Sequence, residues 1–177
     1  MDLNIIITSA IIIAFCIVPM ILVYIKQKLK KKRAGQMLSA IAKTKSGEIA
    51  ISELCGELGV GITLNNEAFV FYNKHENGSE DKFCIVLSEV KNCNFIRMNL
   101  DSGSGKIRKL ILNFEYRDKS KTSLSLEFYN IDENFQLAGE LQMIEKWKPI
   151  IDLAIDYQSA RHQMNHSEKR PPMAIAV

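Results

Sequence analysis

The sequence predicts an α+β protein: an N-terminal transmembrane helix, a run of short antiparallel strands, and one amphipathic C-terminal helix. Three observations predict it. Residues 5–25 are an unbroken apolar run without a charge. After Gly47 the chain breaks into short β-rich runs separated by turn residues. Near the end, Leu137, Leu141, Ile144, Trp147, Ile151 and Ile155 recur at spacings of three and four, the period of a helix with one buried face.

The apolar run comes first. As a helix, residues 5–25 rise about 32 Å, matching a hydrocarbon core of roughly 30 Å. Lys26, Lys28, Lys30, Lys31, Lys32 and Arg33 follow it at once, whereas only Asp2 and the amino terminus precede it. Cationic flanks stay on the cytoplasmic side. The expectation is a single-pass protein of the cell (inner or plasma) membrane. Its segments are an extracytoplasmic N-terminus at 1–4, a span at 5–25, a basic juxtamembrane helix and linker at 26–46, a cytoplasmic domain at 47–157 and a disordered tail at 158–177. A cleaved signal peptide would need positive charge before the apolar run, which this chain lacks. Pro19 lies within the run, where a membrane helix tolerates a bend.

Charge narrows the partners. The chain holds 23 Lys and Arg against 20 Asp and Glu. Beyond residue 33 the balance reverses to about −2, which argues against nucleic acid. The basic block at 26–33 reads as a topology signal whose side chains contact anionic lipid headgroups at the membrane surface. The cysteines (Cys16, Cys55, Cys84 and Cys93) match no zinc or redox spacing and read as small apolar residues.

Arg33 to Lys45 continues as a helix with a partial stripe of Met37, Leu38 and Ile41, ended by Gly47. The strands are then placed at 48–53, 59–64, 67–73, 82–90, 93–100, 106–116 and 122–129. In 106–116, Leu110, Leu112, Phe114 and Tyr116 share one face and Lys109, Asn113 and Glu115 the other. In 122–129, Leu124, Leu126 and Phe128 point inward. Asn65-Asn66 makes a two-residue turn, and His75–Asp81, Asp101–Gly105 and Arg117–Lys121 are hairpin loops. The closing helix spans about 134–157, capped by Asn134 or Asp132 and bent at Pro149. Leu137, Leu141, Ile144, Trp147 and Ile151 are its core.

Seven short strands followed by one amphipathic helix resembles a bacterial pleckstrin-homology-like (PH-like or GRAM-like) domain over about 47–157. Gly61-Ile-Thr-Leu-Asn-Asn-Glu-Ala-Phe-Val-Phe-Tyr72 looks like its hairpin, and Ile85-Val-Leu-Ser-Glu-Val90 like the next strand. The resemblance implies a two-sheet antiparallel β-barrel capped by the C-terminal helix. Lipid-binding members place Lys and Arg around the first hairpin. Here Glu53 to Asn66 has neither and carries Glu53 and Glu57.

Motifs for chemistry do not assemble. Gly103-Ser104-Gly105-Lys106 lacks the leading Gly and trailing Ser or Thr of a phosphate loop and reads as a hairpin turn. His162 and His166 are four apart, but no third metal ligand is evident. His75 has no obvious acid or nucleophile partner, although Glu76, Glu80 and Asp81 are near in sequence. Phe69, Phe71 and Tyr129 are either an exposed protein-binding patch or a second core face. Asn77-Gly78-Ser79 and Asn165-His166-Ser167 match the glycosylation pattern, which is irrelevant in a cytoplasmic domain.

The functional expectation is a membrane-anchored, non-enzymatic interaction module, a scaffold-like protein-binding subunit of a membrane assembly without metal or cofactor. The alternative is a domain that senses anionic lipid. A third class, an enzyme, requires a close acid, base and nucleophile in a real pocket.

Overall fold

The computed structural model describes residues 3–45, 47–75, 77–100 and 105–168; within the helices, the side chains of 3–14, 16, 26, 27, 30, 31, 45 and 165–168 are not described. Two helices and seven strands follow in the order α1 (Leu3–Lys45), β1 (Ile49–Cys55), β2 (Leu58–Thr63), β3 (Ala68–Lys74), β4 (Glu80–Val86), β5 (Val90–Asn99), β6 (Ile107–Tyr116), β7 (Leu124–Asn130) and α2 (Glu140–Glu168). Strands β1–β4 form one antiparallel sheet and β5–β7 a second. The expected strand 82–90 is divided. The chain turns at Leu87–Glu89 and leaves the first sheet for the second, so its final residue, Val90, opens β5.

The two sheets share one core. Val60, Ile62, Phe69 and Phe71 from the first sheet meet Leu110, Leu112, Phe114 and Leu126 from the second. Ile144, Trp147 and Ile151 from α2 complete it. The aromatic rings set the spacing: Phe69 lies 5.6 Å from Phe114 and 6.2 Å from Trp147 between centroids. Phe69, Phe71 and Tyr129 are buried, so they are core and not an exposed patch. The expected inward residues of β6 and β7 point inward, since Leu110, Leu112, Phe114, Leu126 and Phe128 are all buried.

The first sheet is covered on its outer face as well. Ala34, Leu38 and Ala42 of α1 pack on Val70 and Tyr72 of β3. This explains β2, whose six residues are all buried. Its alternation puts Leu58, Val60 and Ile62 inward, Gly59 beneath Leu38 of α1 and Gly61 against Ile49 and Ile51 of β1. A Cβ on Gly59 would stand 2.7 Å from Leu38 Cδ1, so glycine here lets the helix approach the strand.

The expectation for the amino-terminal segment is corrected. Among the described residues no helix is long and apolar enough to cross a membrane. The side chains described there, Phe15 and Ile17–Ile25, are all exposed. The helix does not stop at the end of that run. It continues through the basic block to Lys45 and docks on the first sheet. The transmembrane helix at 5–25 and the single-pass, membrane and cytoplasmic-domain assignments built on it are therefore withdrawn. The side chains of the first ten residues of that run, and Met1 and Asp2, lie outside the described residues.

The closing helix also differs at both ends. It starts at Glu140, not near Asn134, because Gly139 has φ +130 and the Asn130 carbonyl folds residues 131–134 into turns. Leu137 is therefore not in the helix core: it sits in the connector and is 38 % exposed. Leu141 is partly buried, and Ile144, Trp147 and Ile151 are fully buried. The helix runs unbroken through Pro149 and past Tyr157 to Glu168, into what reads as tail from sequence. Gln158 anchors this extension by donating to the carbonyls of Asn65 (2.7 Å) and Asn66 (2.9 Å), both at positive φ in the β2–β3 turn. Residues 169–177 of the expected tail lie outside the described residues.

Gly59→Val should lower stability by about 1–3 kcal/mol through overpacking against Leu38. Leu38→Ala in the same chain should return part of that loss, giving a non-additive double-mutant cycle in chemical denaturation.

Candidate functional site

The β1–β2 turn, the β3–β4 hairpin and the β7–α2 connector (residues 131–139) come together at one end of the molecule. Between them lies a cleft of about 420 Å³, lined among others by Glu57, Lys74, His75, Glu127, Glu133 and Glu140. A side-chain bond crosses it. Asn73 Nδ2 on β3 donates to the Glu127 carbonyl on β7 at 3.4 Å, and Glu127 pairs with Lys109 at 2.7 Å.

His75 stands at its rim. Its Nδ1 lies 2.6 Å from Glu133 Oε2 and its Nε2 lies 3.0 Å from Asp81 Oδ2. The imidazole side chain is only 13 % exposed. Asp81 belongs to β4 and Glu133 to the connector, so one ring ties the hairpin of the first sheet to the chain leaving the second. The Glu133 carboxylate raises the His75 pKa above its ordinary value; burial opposes this and Asp81 reinforces it. Asp81 lies within the sequence neighbourhood already noted for His75. Glu133 is 58 positions away and carries no local signal; only the pairing of the sheets brings it there.

Other acids have structural partners. Glu140, almost fully buried, accepts the Ala138 N–H at 2.6 Å at the start of α2. Burial raises the Tyr129 pKa, and Glu140 adds to the shift. Glu53 accepts both Lys146 Nζ and Trp147 Nε1 at 2.8 Å. The bond from Lys146 chiefly holds the Glu53 carboxyl below its ordinary value; burial opposes it and the Trp147 bond adds.

The basic block emerges beside this end. Leu29, Arg33, Glu57, Tyr72 and Lys74 surround a smaller cavity of about 250 Å³, sharing Glu57 and Lys74 with the main cleft. Arg33 lies 3.8 Å from Glu80, which also accepts the Tyr72 hydroxyl at 3.0 Å. Burial, then Glu80, pushes the Tyr72 phenol up to about 12. Lys28 and Lys32 are exposed; Lys26, Lys30 and Lys31 lie on α1 with side chains outside the described residues.

The other feature is an exposed apolar stripe on α2, absent from the expectations above. Leu153, Tyr157 and Met164 are 70 %, 52 % and 65 % exposed. Spacings of four and seven put them on one face, turned away from Trp147 and Ile151. Its helical spacing is the signal for it in the sequence, beside a denser core stripe.

The remaining candidates do not converge. Among the described residues no group of three or more His, Cys, Asp or Glu could hold a metal ion. His162 is on α2, and the side chain of His166 lies outside the described residues. Of the Gly103–Lys106 turn, only Gly105 and Lys106 are described; of the acids near His75, Glu76 is not. Cys93 is buried, which pushes its thiol up to about 12, far from a reactive thiolate. No protein-family model, curated protein or solved structure matches this chain.

The raised His75 pKa has a definite sign. Its favourable contribution is complete below the ordinary value of about 6.5 and is lost as pH rises through the folded value. The unfolding midpoint in denaturant should therefore fall over that interval, and His75→Gln should remove the step.

Proposed function

We propose that the chain is a non-catalytic, PH-like interaction module that binds a protein partner along the outer face of α2. The observation that carries this is the stripe of Leu153, Tyr157 and Met164. A helix that buries one face in its own domain rarely leaves three large apolar side chains aligned on another without a partner surface. Such a stripe suits an apolar groove, into which a helix face docks at these spacings. Support for the PH-like reading comes from the order of elements: a four-stranded meander, a three-stranded meander and a helix against their shared core.

Anionic headgroup binding is the second reading, favoured by the exposed Lys28, Lys32 and Arg33. Glu53, Glu57 and Glu80 on the neighbouring strands and turn weigh against it by placing like charge beside an anion.

The test is a Leu153→Glu, Tyr157→Glu double variant of the full chain. Both residues are exposed, so its unfolding free energy should stay within about 0.5 kcal/mol of the parent. Its affinity for a protein partner captured by the parent chain should fall at least about tenfold, or 1.4 kcal/mol. Unchanged affinity would overturn the α2 reading. Failure to capture any protein, together with salt-sensitive binding to anionic vesicles, would favour the second reading.

A further inference from the structure

The connector wall of the cleft is held by a bond that depends on one proton. Glu133, Asn134 and Ala138 of the connector form one side of the cleft, and His75 is on the other. Both ring nitrogens of His75 face carboxylate oxygens, at 2.6 Å and 3.0 Å. A carboxylate offers no proton, and neutral imidazole has a single N–H. Both contacts are hydrogen bonds only while the ring is imidazolium. Removing one proton leaves a lone pair against a carboxylate oxygen, and one contact must open.

The two ties are not equally secured. His75 and Asp81 belong to one hairpin, whose backbone is fixed by His75 N–H to the Ser79 carbonyl (2.9 Å) and Gly78 N–H to the His75 carbonyl (3.0 Å). Asp81 sits in the β3–β4 ladder opposite Asn73. Glu133 belongs to a connector whose residues 132–138 are all exposed. That segment is pinned at one end by Ile131 N–H on the Arg108 carbonyl, and at the other by Gly139, whose φ of +130 suits a hinge. Glu133 is the tie that yields.

We propose that the connector 131–139 is a proton-controlled flap over the cleft, shut by the His75–Glu133 bond and released when the imidazolium is deprotonated. The surrounding charges favour the shut form at low pH. Glu57 on the β1–β2 turn, Glu80 and Asp81 on β4, Glu127 on β7, Asp132 and Glu133 on the connector and Glu140 on α2 outnumber Lys74 on β3, Lys82 on β4, and Arg108 and Lys109 on β6. Of these, Glu80 is paired with Lys82, Glu127 with Lys109 and Asp132 with Arg108. The flap is independent of the α2 stripe and stands or falls separately from it.

Amide hydrogen exchange on the full chain tests this, because Asp132, Glu133 and Asn134 of the flap each donate a backbone N–H to Asn130 at the end of β7. Exchange would be followed from about pH 5 to pH 9, corrected for base catalysis, with the His75 ring proton titrated by NMR in the same samples. The expected result is a loss of protection at these amides of at least about tenfold across the His75 titration, with β6 core amides unchanged. Glu133→Ala, at an exposed position, should show low protection at every pH and no step. Flat protection in the parent chain while His75 titrates would overturn the proposal, as would a step of unchanged size in Glu133→Ala.

Discussion

Phe69 is the residue on which three layers meet. It belongs to β3 and touches Phe114 of β6 and Trp147 of α2. Each large aromatic side chain buries more apolar area than its aliphatic neighbours, and offset or edge contacts between rings add to it. Trp147 then extends the chain of contacts. Its ring is fully buried, so its N–H needs an acceptor, and Glu53 on β1 provides one at 2.8 Å. One cluster therefore joins the first sheet, the second sheet and the closing helix, and sets the position of α2 along them.

The first sheet has a second constraint. Its strands β2 and β3 are buried on both faces, by the shared core and by α1. A strand in that position needs apolar or very small residues throughout, and β2 is Leu-Gly-Val-Gly-Ile-Thr. Gly59 and Gly61 carry the outer face, where Leu38 fills the space at Gly59 and β1 crowds Gly61. Thr63 is the polar exception, and its hydroxyl accepts the Ala68 N–H at 2.9 Å, so no polar group is left unmatched at the strand end.

This double burial also explains what the sequence made legible. β6 and β7 have one covered face, alternate cleanly, and are found within two residues of their expected limits. The Asn65-Asn66 turn was readable because its positive φ at both residues favours asparagine. The start of α2 was misplaced because Leu137 falls on the helical period of Leu141 and Ile144, while the deciding feature is the backbone at Gly139. The reading of residues 5–25 rested on hydropathy alone, which does not report that the helix continues to a docking site at Ala34, Leu38 and Ala42. Glu133 was invisible for a plainer reason: its partner lies on another sheet.

The position of α2 makes the two ends of the molecule unlike. Its C-terminal half covers the end holding the β2–β3 turn, the Leu87–Glu89 turn and the β6–β7 loop. Gln158 closes the first of these turns, and Ser159 accepts Arg117 beside the last. At the opposite end α2 only begins, contributing Glu140 to the lining of the gap between the β1–β2 turn and β7. The connector must span that gap in exposed backbone, with side-chain bonds in place of packing. Packing is indifferent to pH, whereas a bond between two carboxylates and one imidazole is not. A closing helix set at one end by Phe69 and Trp147 thus leaves the other end dependent on a titratable tie, and places the cleft beneath it.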